Sequence, residues 1–260
     1  MAQVEIHPTA IVDPGAQLGA GVRVGAYAII GAGVTIGDGT SVGPHAVVRG
    51  PTTIGRNNRI FQFAVLGEEP QDKKYAGEPT RLEVGDGNTF REFCTVHRGT
   101  VQDEGVTRIG NNNWVMAYVH IAHDCRVGND VIFSNNATLA GHVHVADHVV
   151  CSGFSAVHQF CRLGAHSFLG GFAAVTRDVP PYVMVAGQPL APHGINAEGL
   201  KRRGFTPEQL RNLKEAYRIL YREGLQLAEA RTRLADLAAT QPELRILVEF
   251  LDQSERSIVR

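Results

Sequence analysis

Aliphatic residues recur at every sixth position of this chain, and few architectures accommodate such a period. Ile6, Val12, Leu18, Val24, Ile30, Ile36, Val42, Val48, Ile54, Ile60 and Leu66 form an unbroken series. The register returns at Val84, Phe90 and Val96. It then runs from Ile109 through Val115, Ile121, Val127, Phe133, Leu139, Val145, Cys151, Val157, Leu163 and Leu169 to Val175. A period of six matches neither the 3.6 of a helix nor the 2 of a long strand, but it suits short strands joined by tight turns. Three such strands close one coil, each pointing its aliphatic residue inward, so that a narrow core runs along the axis of a parallel β-helix. Small or β-branched residues precede the inward positions by two (Ala16, Val22, Ala28, Val34), and glycine often follows them, as at Gly19, Gly25, Gly37 and Gly55. Those glycines are expected to supply turn conformations. A sandwich of short strands would place its turns 8 to 12 residues apart and would not hold a register of six.

Two stretches break the register, residues 67–83 and 97–108, and insertions in a solenoid become loops on one face. After Pro180-Pro181 the hexads stop. Thr206-Pro207-Glu208-Gln209 reads as a helix start, with helices expected over 207–222, 226–239 and 243–255. The expected organisation is a β-helix over 1–190 and a helical domain over 191–260 capping its open end.

The 25 Lys+Arg against 26 Asp+Glu exclude a partner held by bulk positive charge, such as nucleic acid. Cys94, Cys125, Cys151 and Cys161 form no CxxC pair and are expected to be reduced thiols of a cytoplasmic protein. No stretch approaches 18 apolar residues and no signal peptide pattern opens the chain, so a membrane span is not expected.

Histidines crowd the second half of the solenoid, most densely in His120-Ile121-Ala122-His123-Asp124-Cys125. One 18-residue coil beyond His123 lies Gly141, and the next coil brings Gln159; one coil beyond Asp124 lies His142. Imidazole is the usual base for a weakly acidic hydroxyl, a carboxylate can orient it, and a glycine N–H can stabilise an oxyanion. Two other readings stand beside this one. Histidines on neighbouring coils can converge on zinc, as in γ-class carbonic anhydrases, although no three histidines here show that spacing and no metal is expected. A degenerate β-helix could also serve as an assembly scaffold, a role with no need of such a column.

The strings YAGEPTR (75–81), HRGT (97–100), HIAHDC (120–125), NNATLAGHV (135–143), AVHQF (156–160) and NAEGLKRRGF (196–205) closely resemble the acyl carrier protein–UDP-N-acetylglucosamine O-acyltransferases of lipid A biosynthesis. The resemblance covers essentially the whole chain. It implies a left-handed helix, an exception to the usual crossover hand, and a homotrimer with sites between subunits. It implies His123 as general base for the sugar 3-hydroxyl, Asp124 as its assistant and Gly141 as oxyanion donor. Asp72, Lys74, His97, His120, His142, His158 and Gln159 would line the nucleotide-sugar and acyl site. Asn196, Glu198, Arg202 and Arg203 would contact the UDP or carrier end. The basic group Lys201-Arg202-Arg203, with Arg211 and Lys214, suits an acidic acyl carrier protein, whose phosphopantetheine carries the acyl group without any further cofactor. An acceptor with a 3-amino group could sit against the same base. Where some members carry a histidine, this chain reads Gly187-Gln188-Pro189. Gly171 matches the acyl-length ruler, 48 residues beyond His123. At about 4.8 Å per coil that is roughly 13 Å, which suits a 3-hydroxyacyl chain of about fourteen carbons.

Overall fold

The hexad residues lie in strands of two to four residues, and each strand pairs in parallel with the strand one coil away. The computed structural model of the chain describes residues 3–254 and 257–260. Three sheets of 11, 9 and 8 strands form the faces of a left-handed parallel β-helix. Ile60, Phe90, Val115 and Phe133 align inward on the first face, Leu66, Val96, Ile121 and Leu139 on the second, and Val84, Ile109, Val127 and Val145 on the third. Phe90, Phe133, Leu66 and Ile121 are wholly buried, each burial stabilising the fold by about 1.5–3 kcal/mol. Ile6 is 47% exposed and Val12 and Leu18 are only partly buried, because among the described residues the first coil is stacked on one side only.

Apart from Gly67, which takes φ +77°, the glycines after the inward residues do a different job from the one expected. Gly37 and Gly55 have no positive φ; a Cβ on Gly37 would lie 2.6 Å from the Gly55 carbonyl carbon, so these glycines let coils approach closely. Turn conformations are carried mainly by other residues, since non-glycine corner residues have φ near +60°, among them Tyr27, Phe63, Tyr118, Asp124, His142 and His166. Such a backbone costs roughly 1–2 kcal/mol per residue. Stacking offsets part of that cost at the corner between the first and second faces, where Tyr27, His45, Phe63, Phe93 and Tyr118 stack ring on ring with centroids 5.0–5.1 Å apart. At the corner between the third and first faces, buried Asn58, Asn88 and Asn113 form a ladder in which each side-chain oxygen accepts from a backbone N–H one coil on.

The two register breaks are narrower than the sequence suggests. Phe90 pairs with Ile60, 30 residues back, and Val115 with Phe90, 25 back, where Ile60 and Val42 are 18 apart; the coils carry 12 and 7 extra residues. The strands Val65–Glu68, Arg81–Val84, Thr95–His97 and Val106–Ile109 absorb the ends of both stretches, leaving excursions over 69–80 and 98–105.

Beyond the last coil, strands Val183–Ala186 and Ala191–Ile195 form an antiparallel hairpin. Helices α1 (Ala197–Arg202), α2 (Pro207–Tyr221), α3 (Leu227–Ala238) and α4 (Arg245–Gln253) follow. Thr206 and Gln209 make the capping box at the start of α2. Helix α4 is preceded by a 3₁₀ turn, Pro242–Leu244, and residue 255 of the expected third helix lies outside the described residues. The helices share a core of their own around Leu200, Leu213, Leu220 and Leu234, while Val259 returns to the solenoid core. No helix among the described residues is long and apolar enough to cross a membrane. All four cysteines are buried and none is joined in a disulfide, and burial pushes the Cys94 and Cys125 thiols up to about 12.

At the corner between the third and first faces His166 stacks between His148 and Tyr182, with its Nδ1 buried and unpartnered. Burial, then the charges of His148 and Arg203, push its pKa down to about 4, against a smaller opposing pull from Asp147. A histidine held neutral when folded, but free to protonate below about 6.5 when unfolded, stabilises the fold fully above that pH, and the stabilisation is lost as pH falls toward 4. The thermal midpoint should therefore drop between pH 7 and pH 4.5, and drop less in His166→Phe. Identical pH slopes for the two proteins would contradict this account.

Candidate active site

At the corner between the second and third faces, His123 and Asp124 occupy the turn, and Asp124 takes the left-handed backbone conformation (φ +58°) that turns its side chain back over the coil. His123 Nδ1 lies 2.9 Å from Asp124 Oδ2. The carboxylate is almost fully buried and accepts from the Thr100 N–H at 2.8 Å and the Thr100 hydroxyl at 2.6 Å, while the Asp124 N–H donates to Thr107 Oγ1. Burial works to raise the Asp124 pKa, but the hydrogen bonds from His123 and Thr100 outweigh it and hold the group below its ordinary value. Ionised Asp124 fixes the His123 proton on Nδ1, which leaves Nε2 as the basic edge.

Gly141 stacks against that edge. A Cβ there would lie 2.5 Å from His123 Cε1 and 2.7 Å from Nε2, so only glycine lets the backbone lie flush with the imidazole. Its N–H makes no hydrogen bond among the described residues. His142 stands over Asp124 rather than over His123, with Nε2 3.7 Å from Asp124 Oδ2, and its ring stacks on Phe160 at 4.5 Å. His120 meets Thr95 Oγ1 through Nδ1 at 2.7 Å and touches the edge of His97. Burial, then the neighbouring His120, pushes the buried His97 down to about 4; burial and His123 lower His120. The pair therefore lines the site as neutral rings. His158 and Gln159 are exposed on the next coil, with His158 Nδ1 donating to the Gln159 carbonyl at 3.1 Å.

The remaining residues singled out in the sequence lie apart from this cluster within one chain. Asp72 and Lys74 sit on the 69–80 excursion, where the Asp72 carboxylate accepts the Lys74 N–H. That excursion is rooted by buried Arg98, which donates to the Gly50 and Gly67 carbonyls, Glu69 Oε1 and Tyr75 Oη. Asn196 caps α1 and donates to the His166 carbonyl, which puts it at the third-to-first corner; Arg203 closes the same helix and Arg202 lies in its last turn. Glu198 pairs with Lys201 in solvent. Gly171 lies at the first-to-second corner beside exposed Phe172, and a Cβ there would meet only the Gly153 carbonyl, at 3.6 Å. Pro189 is in the hairpin turn, whose Gln188 reaches the Phe172 carbonyl at 3.5 Å.

His123, Asp124 and His142 each bring one ligand-capable atom within 4.8 Å of the others, which makes a cation site conceivable on geometry alone. The donor set argues for the dyad instead: Asp124 already accepts Thr100 twice and His123 once, and a cation would have to displace the bond that orients the base.

Two family descriptions match the chain: bacterial transferase hexapeptide (six repeats) at residues 3–38 and 107–141, and UDP-N-acetylglucosamine O-acyltransferase, domain 2, at 178–259. The acyl-[acyl-carrier-protein]–UDP-N-acetylglucosamine O-acyltransferase of Thiobacillus denitrificans is 64% identical over 98% of this chain and 99% of its own length. The chain belongs to that O-acyltransferase family. The Janthinobacterium member is 60% identical over the same shares. Among solved structures, the Moraxella catarrhalis UDP-N-acetylglucosamine O-acyltransferase superposes with a TM-score of 0.96 at 47% identity, covering 98% of this chain and 99% of that one. The Francisella novicida acyltransferase gives 0.96 at 43%, covering 98% and 94%. The parts played by Thr100 and Arg98 depend on the 98–105 excursion folding back, and Thr107 reaches Asp124 from the strand that follows it, which the family motifs do not show. The T of HRGT was the only signal for Thr100.

Proposed function

We propose that the chain transfers a 3-hydroxyacyl group from the phosphopantetheine thioester of acyl carrier protein to the 3-hydroxyl of UDP-N-acetylglucosamine, the first step of lipid A biosynthesis. The observation that carries this reading is the Asp124-oriented His123 with the unbonded Gly141 N–H flush against it. His123 Nε2 takes the sugar hydroxyl proton as the oxygen attacks the thioester carbonyl. The Gly141 N–H stabilises the oxyanion, and the departing thiolate recovers the proton from the imidazolium. Neutral His97 and His120 place no positive charge nearby to repel the imidazolium that forms. No resident cofactor is required.

The proposal includes a homotrimer. Asn196, Arg202 and Arg203 occupy a different corner from His123, so one ligand can touch both groups only if a neighbouring copy supplies one of them. Exposed Ile11 on the second face and the ladder from Tyr27 to Tyr118 beside it form an apolar stripe suited to burial between copies. Asp72 and Lys74 would meet the sugar nucleotide, and the basic end of α1 the diphosphate or the carrier. A cytoplasmic location belongs to the same reading, and four buried cysteines outside any disulfide suit a reducing compartment.

The test is a transfer assay with UDP-N-acetylglucosamine, its 3-amino analogue, and carrier proteins loaded with ten- to sixteen-carbon 3-hydroxyacyl chains. Transfer should favour the hydroxyl acceptor and peak at about fourteen carbons, the length that a groove of roughly 13 Å suits. At Gly171 a Cβ makes only an ordinary contact, so Gly171→Met should leave the coil folded and move the peak to shorter donors. No transfer to the hydroxyl acceptor would overturn the function, and an unmoved peak in the variant would overturn the ruler.

A further inference from the structure

The 98–105 excursion grips the corner twice. Thr100 holds Asp124, and Asp103, three residues on, holds His142, with its Oδ2 3.1 Å from His142 Nδ1. Asp103 is fixed in its turn: its N–H donates to the Thr100 carbonyl, and its Oδ1 accepts the Glu104 N–H and lies 3.6 Å from Arg126. The stack of His142 on Phe160, 11° from parallel, sets the plane of the ring between the two carboxylates.

We infer that Asp103 is a positioning residue for the transfer proposed above: by claiming the Nδ1 proton of His142 it reserves the Asp124 carboxylate for His123. Asp124 Oδ2 faces two imidazoles, His123 Nδ1 at 2.9 Å and His142 Nε2 at 3.7 Å. A neutral imidazole has one N–H. With that proton on Nδ1, donated to Asp103, His142 turns a bare lone pair toward Asp124 and cannot bond to it. Without Asp103 the other tautomer becomes available. Its Nε2–H would close on Oδ2, compete with His123, and loosen the base whose Nε2 must face the sugar hydroxyl. The inference rests on His123 acting as base.

Histidine ¹⁵N NMR reads the tautomer without any reaction. His142 should be the Nδ1–H form in the wild type and shift toward Nε2–H in Asp103→Ala. In the transfer assay, Asp103→Ala should lower kcat by about tenfold with KM unchanged, a loss of the size seen between members of one hydrogen-bond network. Asp103→Asn, whose amide oxygen still accepts from Nδ1–H, should keep most of the activity. In a His142→Phe background, where no imidazole competes for Asp124, Asp103→Ala should cost nothing further. Thermal unfolding of each variant separates a loss of fold from a loss of orientation. An unchanged tautomer, or an equal kcat loss in both backgrounds, would overturn the inference. A wild type that transfers no acyl group would overturn the function instead, with the tautomer measurement still deciding the role of Asp103.

Discussion

His123→Ala is expected to lower kcat for acyl transfer by about 10²–10⁴-fold, the range attributed to a positioned general base, with the KM values for sugar nucleotide and carrier little changed. The ring is only 15% exposed and its contacts are with Asp124, His142 and Gly141, so its removal strips the proton acceptor and leaves the coil core intact. Steady-state kinetics on purified variant and parent, with circular dichroism to confirm the fold, measure the effect. A variant retaining a tenth or more of parental kcat would remove His123 from the role of base. The Asp124 carboxylate would then be left oriented toward a ring that the reaction does not use.

Gly141→Ala is expected to be nearly as damaging by a purely geometric route. The added methyl would sit 2.5 Å from Cε1 of the imidazole, well inside contact distance, and the imidazole is the group able to give way. Displacing a catalytic group by about 1 Å costs on the order of 10²-fold in rate. Gly141 has no positive φ, so alanine introduces no backbone strain and the melting temperature should hold within a few degrees. A fall in kcat at constant stability distinguishes a misplaced base from a broken coil. Parental kcat in this variant would mean that the flush contact has no bearing on the chemistry.

The solenoid was legible because inward packing repeats: Val115 to Phe133 to Cys151 is one interaction seen over and over, and each repeat restates the register. The same counting placed Gly141 against His123, since no insertion lies between residues 109 and 175. Counting failed where the chain leaves the lattice. Thr100 and Asp103 reach the corner from an excursion of seven extra residues whose path no periodicity records. Helix α1 was also missed as a helix, because at six residues it carries too little amphipathic pattern; its signs are the Asn196 cap and Gly204 at φ +82° just past its end. The role first given to the glycines was misassigned for a related reason. Close approach between coils is a contact 18 residues away, as from Gly37 to Gly55, and local sequence shows only the missing side chain.

The stacking of coil on coil also makes distance along this molecule quantised. Removing or adding one residue would turn inward side chains outward, and a single hexad would move every later residue to another face, so backbone length can change within the β-helix only by whole 18-residue coils, or by excursions that return to register as those at 69–80 and 98–105 do. The span from His123 to Gly171 can therefore be lengthened by the backbone only in increments of about 4.8 Å. Selection for a substrate one or two methylenes longer or shorter has no backbone increment that fine to use. It must act through the size of side chains at open corner positions such as Gly171, so a single substitution there is the smallest available adjustment of a scaffold that is otherwise digital.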